Sequence, residues 1–306
     1  MSNKIIFMGT PQFSVATLEN LVKSRYKISC VYTQPPKESK RGQKLNPSPI
    51  QESAKNLNLV VRSPDSLNSE EEFKFFKDLN PEIVVVVAYG QLIPKKFLDI
   101  PKKGFINIHA SLLPKWRGAA PIQRAVINLE KETGISLMKI IEELDAGPVM
   151  KKIKIKIDPS DSSGKISEKL SKIGSDNIVE ALDNIFENRA KFIEQEHSSA
   201  TYAKKIKKNE GKIDWKEDAK TILGKINGLN PSPGAWFEYK TKRYKIWQAS
   251  ALDKKGPTGT ILDDNFTVAC KDKSIRITEI QKEGKKKLSL NLFLLGMSFK
   301  VGEIIN

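Results

Sequence analysis

The sequence predicts an α/β chain in which a doubly wound, mostly parallel sheet is followed by a small β-barrel. Three observations lead there. Apolar runs alternate with helix-like stretches through the first half of the chain, the signature of strand–helix–strand winding. One run, PEIVVVVAYG at 81–90, holds five consecutive apolar β-formers, as a strand buried on both faces requires. Beyond residue 206 several short strand candidates are separated by Gly, Asp-Asp and Asp-Lys turns, the texture of a small barrel. At 306 residues the chain exceeds what one core usually holds, so two domains are expected. The division predicted is 1–188, a linker at 189–205, and 206–306.

In order, KIIFM (4–8) is a strand that ends in Gly9-Thr10-Pro11, and FSVATLENLVKS opens a helix behind that proline. ISCVYT (28–33) is a second strand, PSPIQESAKNLN (47–58) a proline-led helix, and LVV (59–61) a third strand. SLNSEEEFKFFKDLN (66–80) carries acids in its first turn, where they complement the helix dipole. After the 81–90 strand comes FINIH, then the helix APIQRAVINLE (120–130) and the strand TGISLMKI (133–140). EELDAGP (142–148) is a turn, and VMKKIKIKID alternates from Lys152 to Ile157 like a half-exposed strand. A long helix covers 162–188, and 189–205 is polar and weakly patterned, with His197 inside it. A helix is expected at 213–229, then strands GAWFEY, RYKIWQASAL, GTIL, FTVAC and SIRITEI.

Composition excludes some classes of function. No apolar run approaches the roughly 20 residues that span a bilayer, and MSNKIIFMGT lacks the pattern of a secretory leader. A soluble, cytoplasmic chain is expected. Cys30 and Cys270 are far apart and without metal-ligand spacing, so they read as buried free thiols in a reducing compartment. The formal net charge is +16, and from Lys204 onward 22 basic residues face 12 acidic ones. A lysine-rich solvated surface and a polyanion-binding face explain that surplus equally well.

Ligands of doubly wound sheets bind beyond the carboxyl ends of the strands, which points to Gly9–Pro11, 88–94 and 107–114. Neither the dinucleotide fingerprint nor the phosphate-loop pattern is present, so NAD and ATP are not favoured. Asn107 and His109 lie two apart in FINIH, hence on one face of a strand exit. An amide that does not titrate and an imidazole that does can together hold the oxygen of a carbonyl becoming tetrahedral. Asp145, in the turn LDAG, could orient that imidazole and accept a proton. Each residue taken singly is also explained as structure: a hydrogen-bonded core histidine, a turn aspartate.

Taken together, FMGTPQFS, RGQKLNPSP, VVAYGQLIP, INIHASLLPKWRGAAPIQRA, LDAGPV, TYAKKI and DW at 214–215 resemble, nearly end to end, the folate-dependent formyltransferases and within them the methionyl-tRNA formyltransferase family. That resemblance implies a Rossmann-like catalytic domain followed by an OB-like β-barrel. It implies 10-formyltetrahydrofolate as co-substrate, no metal, and Asn107, His109 and Asp145 as catalytic residues. Folate contacts are implied at Ser111, Leu112, Leu113 and Pro114, and for the pterin at Ala88, Tyr89, Gly90, Gln91, Leu92 and Ile93, largely through backbone. Initiator methionyl-tRNA is the implied acceptor and partner, met by Arg41 and Lys44 in the insertion 34–49 and by the basic C-terminal domain, with a monomer expected. Gln43 stands where such loops often carry a second lysine. Ser111 beside His109 could pass for a nucleophile, but the Gly-x-Ser-x-Gly setting is absent. A formyl-folate hydrolase, a catalytically dead RNA-binding module and a sugar-nucleotide formyltransferase remain as rival readings.

Overall fold

Ile83–Val87, fully buried as five consecutive branched side chains dictate, sits at the middle of a seven-stranded sheet in the computed structural model, which describes residues 3–38, 45–297 and 299–305. Its strands are β1 (Lys4–Gly9), β2 (Lys27–Tyr32), β3 (Val61–Arg62), β4 (Ile83–Val87), β5 (Phe105–His109), β6 (Glu132–Lys139) and β7 (Val149–Lys156). Across the sheet the order is β3-β2-β1-β4-β5-β6-β7. Strands β1 to β5 pair in parallel, and β6 runs antiparallel to β5. Strand order reverses at β1, so the crevice expected of such a fold opens where β1, β4 and β5 end.

The chain divides into two compact units: residues up to Ala119 with Gly134–Ile155 and Ser167–Ala203, and Ala120–Thr133 with Lys156–Ile166 and Lys204–Asn306. In the first unit, side-chain alternation along β5 sorts its residues. Phe105 joins a cluster with Phe76, Phe97, Val84 and Val86 on one face of the sheet. Ile108, on the other face, lies against the helix Ser163–Phe186, so close that a Cβ at Gly174 would lie 3.0 Å from its side chain. Burying such a side chain contributes about 1.5–3 kcal/mol. The strand is thereby clamped from both sides, and Asn107 and His109 inherit a fixed direction. Ser171 and Ser175 on the same helix donate to the carbonyls of Phe13 and Ala16, at 2.7 and 2.8 Å, which ties in the helix Val15–Lys23.

The second unit is antiparallel β. Strands Ala235–Tyr239, Lys242–Leu252, Ser274–Lys282, Thr267–Ala269 and Ile261–Asp263 are neighbours in that order, and Leu288–Ser289 pairs with Ser274–Lys282. They enclose an aromatic core of Trp215, Phe237, Tyr244, Phe266, Phe293 and Phe299. The helix Ala219–Gly228 runs close along Pro121–Ile127, because a Cβ at Gly224 would lie 2.6 Å from the Ile127 carbonyl and one at Gly228 2.4 Å from the Ile127 side chain.

Two local expectations differ. The helix predicted from 213 starts only at Ala219, because Ile213 donates its amide to Trp236 at 2.8 Å and is spent on the sheet. The segment 189–205 is polar as read, yet residues 189–203 fall within the first unit. There Gln195 is 7 % exposed, Ile193 bridges Val149, and Tyr202–Ala203 pairs in parallel with Arg117–Gly118.

Candidate active site

Strand β5 delivers Asn107 and His109 to the carboxyl edge of the sheet, where they are 9 % and 6 % exposed. The His109 ring is held on two sides. Its Nε2 lies 3.0 Å from the Trp116 carbonyl, and because a carbonyl only accepts, that nitrogen carries the hydrogen. Its Nδ1 lies 3.6 Å from Asp145 Oδ2, an electrostatic contact longer than a hydrogen bond. A second proton on His109 would therefore sit at Nδ1, facing a carboxylate. The Asn107 amide has no side-chain hydrogen bond among the described residues and is free to bind a ligand oxygen.

Asp145 is placed by its backbone. Its φ is +49°, a left-handed conformation that costs an L-residue roughly 1–2 kcal/mol. Oδ2 accepts from the Gly118 amide at 2.8 Å, which fixes the carboxylate while leaving it 16 % exposed. Gly118 can serve because its φ is +109°, open to glycine alone. Two further non-glycine residues at the strand exits share the left-handed conformation, Trp116 at +62° and Ala88 at +49°. Strain of this kind gathers where a site demands it.

The turn after β4 lies alongside, since Val86 pairs with Asn107. Ala88 and Gly90 are exposed, Gly90 with φ +81°, and Leu92 is 86 % exposed. The Tyr89 carbonyl accepts from Thr10 Oγ1 at 2.7 Å and Gln34 Nε2 at 3.0 Å. Gln91 Nε2 donates to Pro64, and Ile93 packs on the Phe76 cluster. The exposed Ala88, Gly90 and Leu92 leave a surface open to a flat ligand, while the Tyr89 carbonyl already accepts twice.

Of the SLLP loop, Ser111 is fully buried and its hydroxyl donates to the Lys115 carbonyl at 2.6 Å. That hydroxyl is spent on the loop and is no nucleophile. Ser136 Oγ donates to the Ser111 carbonyl at 2.7 Å and accepts from the Leu113 amide at 3.1 Å. Leu113 packs with Met138 and Val149. Leu112 and Pro114 are half-buried.

Behind His109 and Asp145 stand residues whose role no sequence pattern marks. Arg117 is 1 % exposed, donates from Nε and Nη2 to Gln195 Oε1 at 3.1 and 2.9 Å, and reaches Glu143 at 3.3 Å and His197 Nδ1 at 3.4 Å. Gln195 Nε2 in turn donates to the carbonyls of Asp145 and Gly147, at 2.8 and 2.7 Å. Arg41 and Lys44 lie outside the described residues, as does Gln43. Burial pushes the thiols of Cys30 and Cys270 up to about 12, so neither is a candidate nucleophile. Among the described residues no cluster of His, Cys, Asp and Glu converges as a metal site.

A family model described as formyl transferase matches residues 3–182, and one for the formyl transferase C-terminal domain matches 205–298. The chain is 54 % identical to methionyl-tRNA formyltransferase of Pelagibacter ubique, covering 100 % of this chain and 99 % of that one. Among solved structures it resembles a methionyl-tRNA formyltransferase from Clostridium thermocellum, with a TM-score of 0.58, 20 % identity, and 81 % and 92 % of the two chains covered. It also resembles HypX from Aquifex aeolicus in complex with tetrahydrofolic acid, with a TM-score of 0.65 and 16 % identity, where the whole of this chain matches 51 % of that one. With both family models matched and a relative at that identity from end to end, the chain belongs to the methionyl-tRNA formyltransferase family.

Proposed function

We propose that the chain transfers the formyl group of 10-formyltetrahydrofolate to the α-amino group of initiator methionyl-tRNA, giving formylmethionyl-tRNA. The observation that carries this reading is one arrangement at the edge of the sheet. An Asn107 amide with no side-chain hydrogen bond among the described residues shares a strand face with an imidazole on His109, and an anchored, part-exposed carboxylate on Asp145 lies 3.6 Å from that ring.

The donor supplies a formyl carbon activated by its bond to N10. The deprotonated amine forms the new N–C bond, the N10–C bond breaks, and the amine loses one proton while N10 gains one. Asn107 donates its amide hydrogen to the formyl oxygen as charge develops there. His109, once protonated at Nδ1, places positive charge beside that oxygen, while the Trp116 carbonyl keeps the ring from turning. Asp145 stabilises the protonated ring and relays the proton, through water where the distance requires it. The backbone of Ala88, Tyr89 and Gly90, with Gln91, Leu92 and Ile93 beyond, takes the pterin, and the loop Ser111–Pro114 walls the folate.

Residues 1–188 are assigned to catalysis and 206–306 to the tRNA backbone. Arg41 and Lys44 are assigned to the acceptor stem. Of the described residues flanking them, Gln34 holds the Tyr89 carbonyl, and Ser48 Oγ meets Thr33 Oγ1 at 2.6 Å and accepts from Gln51 at the start of the next helix. On the second unit, Arg243 stacks 3.8 Å from the Trp236 ring beside exposed Lys242, a cationic strand suited to phosphates. We assign a cytoplasmic monomer, in keeping with two free buried cysteines. The test is incubation with formyl-tetrahydrofolate and methionyl-tRNA, separating formylmethionyl-tRNA from free formate. Formate alone would make the chain a hydrolase, and no turnover of either kind would leave only an RNA-binding role.

A further inference from the structure

We propose that Gln195 is a positioning residue of the transfer reaction, acting on His109 and Asp145 through the segment 193–201. The proposal rests on the catalytic reading of Asp145. Three observations support it.

The Gln195 amide is fully used. Its oxygen takes two hydrogens of the Arg117 guanidinium, and its nitrogen gives one to each of two carbonyls in the LDAG turn, those of Asp145 and Gly147. A buried arginine needs acceptors, which accounts for the oxygen. It does not account for a nitrogen that grips the catalytic turn at two points. That turn needs gripping, since Asp145 is left-handed and Gly147 is pressed so close to the Lys139 carbonyl that a Cβ would lie 2.1 Å from it.

The same segment also sets the other restraint on His109. Thr201 accepts the Arg117 amide on its carbonyl at 2.8 Å and the Trp116 amide on Oγ1 at 2.9 Å, and donates its own amide to the Pro114 carbonyl at 3.3 Å. Trp116 is thereby held at φ +62° with its carbonyl 3.0 Å from His109 Nε2. The segment is fastened to the sheet where Ile193 and Val149 exchange both amide hydrogen bonds, at 2.8 and 3.0 Å. Both groups that fix the imidazole, the Trp116 carbonyl on one side and the Asp145 carboxylate on the other, thus depend on one stretch of chain.

A positioning role affects the chemical step and leaves donor binding alone, which separates it from a loss of stability. In the full-length protein, Gln195→Ala should lower kcat about 10- to 100-fold, leave KM for formyl-tetrahydrofolate within about twofold, and displace the pH dependence of kcat, because the carboxylate no longer sits at a fixed distance from the ring. Gln195→Glu keeps an acceptor for Arg117 but offers the two carbonyls oxygen in place of N–H, so it should lose kcat as well. Ile178→Val, in the core of the long helix, should lower thermal stability without altering kcat or its pH profile. Should Gln195→Ala be too unstable to assay, Gln195→Glu decides, since wild-type kcat with a carboxylate at 195 would overturn the clamp. Wild-type kcat and an unmoved pH profile in Gln195→Ala, with Asp145→Asn inactive, would overturn the positioning role and leave the catalytic reading standing. An Asp145→Asn variant as fast as wild type would remove the catalytic reading and this proposal with it.

Discussion

Asp145→Asn isolates charge from shape. An asparagine can keep the left-handed turn, to which its side chain is well suited, and can still accept the Gly118 amide through its oxygen. What it loses is the negative charge 3.6 Å from His109 Nδ1. Two unit charges at that distance interact by about 1 kcal/mol in water and about 5 kcal/mol at an effective dielectric constant near 20. The two side chains are 6 % and 16 % exposed, which places the pair nearer the second value. At about 1.4 kcal/mol per tenfold change, the loss corresponds to roughly two to three orders of magnitude in kcat. Single-turnover formylation at saturating donor, from pH 6 to 9, reads this directly. Folate affinity by fluorescence and the thermal midpoint should stay close to wild type, because neither depends on the charge. Turnover within threefold of wild type, with the same pH profile, would show that the carboxylate takes no part in the chemistry.

Asn107→Ala and His109→Ala should each lower kcat by about two to three orders of magnitude with folate affinity little changed, the usual cost of losing one group that faces a developing oxyanion; wild-type turnover in either would move the site off this strand exit. Stability should fall as pH rises from about 9 toward 12, checked by urea midpoints at pH 8 and 10.5. Burial raises Cys30 and Cys270 to about 12 and raises Tyr32 and Tyr89 as well, so the unfolded chain gives up protons that the folded chain keeps, and stability present below the unfolded values is lost above them. Removing Lys242 and Arg243 should weaken tRNA binding whatever the acceptor-stem sequence, and make the logarithmic salt slope shallower by nearly one for each phosphate no longer neutralised; an unchanged slope would place the RNA elsewhere.

Those parts of the fold that follow from local chemistry are legible in the sequence. Ile83–Val87 announces a buried central strand because only burial on both faces tolerates such a run. Pro49 at the head of one helix and Glu70, Glu71 and Glu72 in the first turn of another mark helix starts by mechanisms that need no tertiary context. Asn107 and His109 fall on one face by strand periodicity alone. The helix at Leu290–Leu294 escapes notice because five residues cannot show a helical period, and it forms where Leu290 and Phe293 fill the aromatic core. The start of the helix at Ala219 is hidden for a related reason: Ile213 has a partner in a strand more than twenty residues away.

The segment 189–203 shows where such reading stops. Its polarity and lack of period are those of a solvated connector, and composition cannot separate a glutamine exposed to water from one that uses its whole amide inside the protein. The difference lies in its partners. A guanidinium buried to 1 % exposure leaves a donor fan that something must accept, and the carbonyls of a left-handed turn leave acceptors that something must satisfy. Arg117 and the LDAG turn both stand inside the motifs that mark the family, but the burial of one and the left-handed backbone of the other appear only in the fold. An amide offers two donors and an acceptor oxygen on one planar group, and Gln195 is the only amide side chain in 189–203. Catalytic residues are found by what they can do to a substrate; the residues that aim them are found by asking which buried polar groups still lack a partner.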